Sequence, residues 1–370
     1  MTTLEPISFA RGAPSLDIMP ADDVREAAQR VLAADPAGAL GYGVGSGYGP
    51  LRQWIADRHE VELERVSVTN GSLQAGAFLF DELVEPGDPV VVEAPSYDRT
   101  LLALAERGAD RIALPLQSDG LDIGALEETL EAGARPRFVH TIPNFHNPAG
   151  CTLSLSKRHR LLELAAEYDF LVFEDDPYAE LRFEGADIPR MLELDSSDRV
   201  VYASSFSKTI APGVRVGYLI GAPDLIASIT RRGVNTYISP NMLSEAIVSE
   251  FCHSGAIERS IATVKEALRA RRDALADGLR GYIGAEARFV LPEGGYFLWV
   301  ELPEEVDTSD LQTLAAERGV TFVVGRDFMI EGGTNALRLA YSAVTPEQAD
   351  EGVRRLAESL AALREGAAAA

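Results

Sequence analysis

Primary amines are scarce in this sequence. Its 34 basic residues include only three lysines, Lys157, Lys208 and Lys265, so chemistry that needs a side-chain amine has three candidates. Lys208 ends the segment SSFSK, which overlaps the apolar run VVYASS, and Arg215 follows seven residues later. Serine hydroxyls and the arginine guanidinium are good phosphate donors. The spacing therefore predicts an amine beside a phosphate site, and an exposed loop lysine is the alternative interpretation.

Three further apolar runs lead into polar groups that could share one site. FLVFED ends at Asp175, with Tyr178 three residues on; RFVHTI leads into PNFHNPAG, which offers Asn147; VSVT is followed by NGSLQA, in which Gly71 and Ser72 begin a helix. The first N–H groups of a helix have no intrahelical partner and can bind an anion. Because the carboxyl ends of parallel strands meet at one sheet edge, we expect these groups in one crevice.

The elements that must position these groups follow a regular alternation. From about residue 66, short apolar runs alternate with helical patterns such as SKRHRLLELAAEY. The runs are VSVT, PVVVEA, RFVHTI, FLVFED, VVYASS and VGYLIG. Strands separated by helices require crossover connections, and nearly continuous apolar runs suit strands that are covered on both faces. The pattern predicts an α/β fold with a mainly parallel sheet.

A long amphipathic helix is predicted from about residue 255. Its apolar stripe consists of Ile257, Ile261, Val264, Leu268, Leu275 and Leu279. These spacings of three, four and seven place one apolar face along a helix long enough to connect two lobes. The strands and helices that follow it, ending in a helix from about Pro346 to Leu363, predict a smaller α+β lobe.

Composition and charge disfavour several classes of protein. The chain has 370 residues, 46% of them hydrophobic, and a formal charge of −23, which disfavours binding to nucleic acid or anionic lipid. Cys151 and Cys252 are the only cysteines and lie outside any Cys/His cluster, so we expect neither a disulfide framework nor a metal centre. The sequence shows no leader pattern and no apolar run of membrane length, so we expect a soluble cytoplasmic protein.

Several familiar catalytic motifs are missing or incomplete. The five glycines of GYGVGSGYG all occupy odd positions, so they cannot match G-x-G-x-x-G. Two S-x-x-K pairs end at Lys157 and Lys208, but the other motifs of a serine β-lactam site are missing. For Glu174 and Asp176, helix capping is a better interpretation than a role in the crevice.

Seven segments, taken in order, resemble one family. They are YGVGSGYGPLR, TNGSLQA, EAPSY, PNFHNPAG, EDDPYAEL, SFSKTIAPGVRVGY and ALRLAYS. The set resembles the fold-type I pyridoxal-phosphate enzymes, specifically the class I/II aminotransferases near the 2-aminoadipate and kynurenine aminotransferases. The resemblance implies a large domain with a mainly parallel seven-stranded sheet covered by helices, and a smaller α+β domain. We expect an arm and part of the small domain at 1–35, the cofactor-binding domain at 36–262 and the small domain at 263–370.

The resemblance assigns the centre of the site to Lys208 and Asp175. Lys208 would form an imine with pyridoxal 5′-phosphate and later carry the proton between the substrate α-carbon and the cofactor. Asp175 would pair with the protonated ring nitrogen, a charge that a buried carboxylate favours. Tyr178 and Asn147 would hydrogen-bond the phenolic oxygen of the ring, and Tyr97 would stack on the ring.

The resemblance also implies residues at the two ends of the site. The residues at the phosphate end are Ser72, Leu73, Gln74, Ser205, Ser207 and Arg215. Tyr42 would reach this end from the neighbouring subunit of a homodimer. The residues at the substrate end are Arg338, Asn147, Gly12 and Arg11. The planar guanidinium of Arg338 suits the substrate α-carboxylate, whereas an ordinary exposed arginine is the alternative interpretation of Arg11.

Three features depart from the family pattern. Leu73 stands where the family often has glutamine, so only its backbone N–H is left for the phosphate. His146 also stands where glutamine is frequent, and it is either a hydrogen-bonded loop histidine or a group near the substrate. Few residues precede FARGAPSLDIMP, so we expect a family helix that closes the site to be missing.

The expected activity is transfer of an amino group from an α-amino acid to a 2-oxo acid in two half-reactions. On the same fold, β-elimination and amino-acid oxidation are alternatives, because they would use the same Lys208 and Asp175. A cofactor-sensing regulator is a third, although such regulators carry a basic DNA-binding domain before the fold. The residues leave the amino donor open among aminoadipate, aromatic, branched and guanidino amino acids, in primary or antibiotic metabolism.

Overall fold

In a computed structural model of the chain, residues 5–369 are described, with side chains up to residue 366. The strands are β1 (Ile7–Ser8), β2 (Val66–Thr69), β3 (Pro89–Ala94), β4 (Asp110–Gln117), β5 (Gly120–Leu121), β6 (Phe138–Thr141), β7 (Leu171–Asp175), β8 (Val200–Ser205), β9 (Gly217–Ile220), β10 (Phe297–Glu301), β11 (Val320–Thr321), β12 (Val323–Val324) and β13 (Ala336–Ala340). The helices are α1 (Ala21–Ala34), α2 (Pro36–Leu40), α3 (Gly49–His59), α4 (Ser72–Leu83), α5 (Asp98–Glu106), α6 (Ile123–Glu131), α7 (Leu155–Tyr168), α8 (Met191–Leu194), α9 (Pro223–Tyr237), α10 (Met242–His253), α11 (Ala256–Gly278), α12 (Thr308–Glu317) and α13 (Pro346–Ala369).

The largest sheet contains eight strands in the order β2-β9-β8-β7-β6-β3-β4-β5. The five strands from β8 to β4 run parallel to one another, whereas β9 is antiparallel to both of its neighbours. The mainly parallel sheet predicted from the apolar runs is thus confirmed. Seven strands were expected, and the eighth is the two-residue β5, which forms a hairpin with β4.

Both faces of this sheet are covered, as the continuous apolar runs predicted. Alternate residues of each strand enter different hydrophobic clusters: on β7, Val172 packs with the cluster under α6 and α7, and Phe173 packs with the cluster under α4 and α9. Strand β4 was missed because only one of its eight residues is fully buried and it contains Pro115. Such a composition is typical of a strand near a sheet edge.

The second, smaller core combines both ends of the chain. The antiparallel sheet β10-β13-β12 packs with the pair formed by β1 and β11, which brings Ile7 and Phe9 into the same buried cluster as Val353. Helix α11 runs between the two cores: Ile257 belongs to the large-sheet cluster and Val264 to the small one. The last helix continues beyond the predicted Leu363 to Ala369, because its alanine-rich end has high helix propensity.

Within the described residues, no helix is long and apolar enough to cross a membrane.

Candidate active site

A cavity of about 390 Å³ opens at the carboxyl edge of the large sheet, against β13 of the smaller core. Twelve of the residues singled out in the sequence line it: Gly12, Ser72, Leu73, Tyr97, Asn147, Asp175, Tyr178, Ser205, Ser207, Lys208, Arg215 and Arg338. The strand ends that the sequence predicted to share a crevice therefore do so. Gly12 and Arg338 also line the cavity, although they come from segments far from these strands in the chain.

Lys208 lies three residues after β8 and points its amine into this cavity. Its Nζ donates a hydrogen bond to the backbone oxygen of Gly12 at 2.7 Å and lies 5.8 Å from the ring centre of Tyr178. Burial, followed by the positive charges of Arg338 and Arg215, lowers the pKa of this amine to about 8. A larger share of neutral amine is therefore available near neutral pH than for an ordinary lysine.

Asp175 is the last residue of β7, and its carboxylate faces the same cavity. Oδ1 is buried without a hydrogen-bond partner. The two neighbouring carboxylates, for which helix capping was expected, point elsewhere. Glu174 accepts the N–H groups of Met191 and Leu192 at 2.9 Å and so caps α8, as expected. Asp176 instead accepts a hydrogen bond from the Asn144 amide at 2.9 Å, which corrects the capping prediction for that residue.

A cluster of donors forms one end of the cavity. The guanidinium of Arg215 lies over Gly71, close enough that a Cβ on Gly71 would come within 2.4 Å of Nη2. Ser72 is the first residue of α4, so its N–H group has no intrahelical partner. Ser205 Oγ and Ser207 Oγ lie 2.9 Å apart on the wall of the cavity. A cation, two hydroxyls and a helix N-terminus together make an anion site.

Arg338, on β13, forms the opposite wall. Its Nη1 donates to Asn147 Oδ1 at 3.0 Å and its Nη2 to the backbone oxygen of Ala10 at 2.8 Å, while the guanidinium stacks on Phe297 and Phe328. Nε is buried without a partner. Because Asn147 uses its oxygen on Arg338, the nitrogen of the same amide is left as a donor toward the cavity.

Two tyrosines complete the wall beside Lys208. Tyr97 precedes α5, and burial together with the charges of Asp98 and Asp175 raises the pKa of its hydroxyl to about 12. Burial also raises the pKa of Tyr178 well above its usual value. Both phenols are therefore neutral hydrogen-bond groups at neutral pH.

Three residues expected at the site do not line this cavity. Gln74 is turned away, because its Oε1 accepts the N–H of Asn70 at 2.9 Å and closes the turn before α4. The Gln74 side chain therefore does not make the expected contact with the cofactor. Tyr42 is 89% exposed on the loop after α2. Arg11 is exposed beside Gly12. Leu73 does line the cavity, and its N–H is free as the second of its helix.

Sequence reasoning missed several groups around the site. Phe297 supports Arg338, and the backbone oxygens of Ala10 and Gly12 accept from Arg338 and Lys208. Backbone acceptors carry no sequence signal, so only the folded chain reveals them. A histidine within the apolar run RFVHTI is a polar residue in a buried strand, and this pattern distinguishes His140 in the sequence.

His146 is a buried loop histidine rather than a residue of the cavity wall. Its Nε2 lies 2.9 Å from Glu93 Oε2, and its Nδ1 accepts the N–H of Ala149 at 3.2 Å. These contacts hold the loop that presents Asn147. Of the two interpretations left open by the sequence, the structure supports the hydrogen-bonded loop residue.

No group of three or more histidine, cysteine, aspartate or glutamate side chains suited to a metal occurs among residues 5–366. The cavity combines the Lys208 amine, whose pKa is lowered, with the Asp175 carboxylate and an anion site.

The sequence also matches a family model, "Aminotransferase class I and II", over residues 5–356. The chain belongs to the class I and II aminotransferases. The aminotransferase is 34% identical to an aromatic-amino-acid aminotransferase of Thermococcus litoralis, over 97% of this chain and 88% of the relative. It is 36% identical to the 2-aminoadipate transaminase of Thermus thermophilus, over 96% of this chain and 90% of the relative.

Solved structures agree with this family. The kynurenine aminotransferase of Pyrococcus horikoshii superimposes with a TM-score of 0.93 at 34% identity, covering 97% of this chain and 91% of that one. The α-aminoadipate aminotransferase of Thermus thermophilus gives a TM-score of 0.94 at 35% identity, covering 97% and 93%. The first was solved with pyridoxamine phosphate and the second with a phosphopyridoxyl-leucine adduct. Pyridoxal 5′-phosphate is accordingly the cofactor of this aminotransferase, which transfers an amino group between small amino and 2-oxo acids.

The residues of this aminotransferase fit that cofactor. A phosphate suits the cluster of Arg215, Ser205 and Ser207 with the first turn of α4, and a protonated ring nitrogen suits the free oxygen of Asp175. The close approach of Arg215 to Gly71 leaves no room for a side chain there.

Proposed function

We propose that the cavity around Lys208 is the site of amino-group transfer. One observation carries the proposal: Lys208 and Asp175, whose carboxylate accepts no hydrogen bond at Oδ1, line the same cavity, and one end of that cavity is an anion site. When bound, pyridoxal phosphate supplies an aldehyde for the amine and a ring that withdraws electrons. This chemistry needs the three features at one place, and none of four other cavities formed by the described residues contains them together.

Lys208 is proposed as the attachment point and as the group that moves the proton. Its Nζ would take the proton from the substrate α-carbon and later return a proton on the cofactor side, and an amine with a lowered pKa suits both directions. Asp175 would pair with the ring nitrogen and keep it protonated. Removal of this carboxylate would therefore impair the chemical step more than cofactor binding.

The substrate end of the proposed site is formed by Arg338 and Asn147. The guanidinium already donates to Asn147 and Ala10, and it has the remaining N–H groups with which to receive an α-carboxylate. The amide nitrogen of Asn147 is proposed to donate to the ring oxygen, together with Tyr178. Tyr97 is proposed to pack on the ring, and Gly12 and Arg11 to border the substrate.

The phosphate end is proposed to be completed by a second copy of the chain. Tyr42 cannot serve its own site, since it is 89% exposed on a loop whose neighbours Leu40 and Val44 are 65% and 60% exposed. An apolar loop of this kind is typical of an interface. We propose a homodimer in which Tyr42 of each copy reaches the phosphate in the other.

The domain division is proposed from the two cores. An arm at 1–35 contributes β1 to the small domain, 36–262 carry the large sheet, and 263–370 form the small domain. Helix α11 supports a boundary near residue 262, because its residues change clusters between Ile257 and Val264.

A half-reaction separates transfer from the alternatives on the same cofactor. The holoenzyme is mixed with one amino acid and no 2-oxo acid, and the visible absorbance of the cofactor and free ammonia are followed. An aminotransferase should lose the absorbance once, with one equivalent of 2-oxo acid formed and no ammonia. Repeated turnover with ammonia release would instead indicate a lyase or an oxidase.

The amino donor can be found with the same measurement. The relatives described above are named for aromatic amino acids, 2-aminoadipate and kynurenine, and we propose that the donor is among these classes. A screen that also contains branched and guanidino amino acids should give the fastest loss of absorbance with one of the first three. Faster loss with another class would refute this choice of donor without affecting the reaction type.

A further inference from the structure

His140 is a buried histidine that the proposed reaction does not use. It lies on β6, opposite Phe173 of β7, and its ring packs against that of Phe173 with the ring centres 5.3 Å apart. The side chain has no exposed surface, and neither Nδ1 nor Nε2 has a hydrogen-bond partner. A buried imidazole without partners is unfavourable, so a structural role alone does not explain a histidine here.

A carboxylate of the proposed active site lies close to His140. His140 Nε2 lies 3.6 Å from Oδ2 of Asp175, on the same face of the sheet. No backbone or side-chain group among the described residues donates a hydrogen bond to the carboxylate of Asp175, and its other oxygen is buried and partnerless. The two unsatisfied groups thus face each other directly beneath the cavity.

We propose that His140 is a positioning residue: its Nε2–H donates to Oδ2 of Asp175 and so holds the carboxylate in the orientation that pairs with the ring nitrogen of the cofactor. The inference rests on the proposed pairing of Asp175 with that nitrogen. A movement of about 0.5 Å brings the 3.6 Å separation into hydrogen-bond range, which a small rotation of either side chain provides. The bond would satisfy both groups at once.

The tautomer follows from the same geometry. With hydrogen on Nε2, the only unsatisfied group left on His140 is one lone pair at Nδ1. The opposite tautomer would place two acceptors face to face and leave a buried N–H without a partner. A hydrogen bond from His140 would also fix the plane of the Asp175 carboxylate.

The variants His140→Leu and His140→Gln test the proposal. Leucine fills the space without a donor, and glutamine retains one. The direct readout is the ¹⁵N chemical shift of the ring nitrogen in holoenzyme loaded with ¹⁵N-labelled pyridoxal phosphate, which reports whether that nitrogen is protonated. His140→Leu should shift the signal toward the unprotonated form and lower kcat about 10- to 100-fold, with KM changed far less. His140→Gln should recover most of both.

His59→Leu is the matched control. His59 is another buried histidine of the large-sheet region, bonded to Tyr218 at 3.0 Å and outside the wall of the cavity. Its removal should lower the melting temperature but leave the ¹⁵N signal and kcat unchanged. If His140→Leu behaves like this control, His140 is only a core residue and the proposal is overturned.

Two measurements keep the test decisive. If His140→Leu does not fold, wild-type holoenzyme with ¹⁵N-labelled histidine is examined: a strongly downfield Nε2 proton for His140 supports the bond, and a signal from Nδ1–H overturns it. Asp175→Ala separates this inference from the proposed function. If Asp175→Ala keeps the ring nitrogen protonated, the pairing of Asp175 itself is wrong; if only His140→Leu keeps it, the positioning role alone is wrong.

Discussion

Lys208 differs from the two other lysines in what surrounds its amine. Lys157 Nζ is held by Asp119 at 2.6 Å and Gln117 at 2.7 Å, away from the cavity, and Lys265 borders a different surface cavity. Among the three, only Lys208 lines the site with Asp175. The location of Lys208 agrees with its choice from the sequence over the two other lysines.

Lys208→Ala should abolish the visible absorbance of the bound cofactor and multiple turnover, while the circular dichroism of the protein stays unchanged. The reason is that no other described amine reaches this cavity. Lys157→Ala and Lys265→Ala are matched controls and should retain both absorbance and activity. Retention of the absorbance in Lys208→Ala would contradict the assignment.

Cofactor loading should depend on pH through the same amine. Only neutral amine attacks an aldehyde, and with a pKa of about 8 the neutral fraction of Lys208 is low at pH 7 and high at pH 9. Stopped-flow loading of cofactor-free protein should therefore accelerate about tenfold from pH 7 to pH 9 and then level off. Arg338→Ala removes a charge that lowers this pKa, so its profile should move to higher pH. A profile that still rises steeply near pH 10 would show an unperturbed lysine.

Arg338→Ala should also raise KM for α-amino acids about 10- to 100-fold, because a charge-assisted contact to the carboxylate is lost. The dissociation constant for the cofactor should change far less, since Arg338 lies on the wall opposite Arg215. Arg215→Ala provides the reciprocal case, in which cofactor retention falls first. Equal loss of cofactor in both variants would refute the placement of Arg338.

At the scale of elements, strand alternation decides which carboxylate of the run EDD is functional. Neighbouring residues of a strand point to opposite faces. Glu174 therefore faces the helices α7 and α8, where burial and the charge of Asp176 raise its pKa to about 7, while Asp175 faces the cavity. A shift of one residue in register would exchange their positions.

The loop before α4 can be tested with paired glycine variants. Gly71 has a φ of 91° and Gly87 a φ of 89°, but a Cβ on Gly71 would meet Arg215 whereas one on Gly87 would meet nothing within 4 Å. Both Gly71→Ala and Gly87→Ala should lower the free energy of unfolding by about 1–3 kcal/mol through backbone strain. Only Gly71→Ala should also weaken binding of pyridoxal phosphate, measured by equilibrium dialysis. The same loss in Gly87→Ala would remove the role given to Arg215.

For the whole molecule, the exposed loop after α2 leads us to expect a homodimer. Light scattering should give twice the mass of the chain at assay concentration. Tyr42→Phe keeps the apolar surface but removes the hydroxyl, so the dimer should persist while the cofactor dissociation constant rises about tenfold. Tyr282→Phe, whose hydroxyl contacts Asp350 elsewhere on the surface, is the control. Active monomers would contradict a site shared between copies.

Local sequence patterns predicted much of the fold and most of the residues that line the cavity. Periodicity placed six strands of the large sheet and the long helix, and the turns after those strands identified Lys208, Asp175, Asn147 and Ser72. These predictions succeed because they depend on local rules: apolar runs bury, and the carboxyl ends of parallel strands share an edge.

The contacts between distant segments could not be predicted from the sequence and depend on how the folded chain packs. The backbone oxygens of Ala10 and Gly12 meet Arg338 and Lys208 across more than 190 residues of chain, and His140 meets Asp175 only because β6 and β7 are neighbours in register. The Gln74 side chain points away from the site because its amide oxygen accepts a hydrogen bond from the N–H of Asn70. Backbone acceptors and side-chain rotamers leave no periodic trace in a sequence, since they are fixed by which surfaces pack together after the strands are already formed.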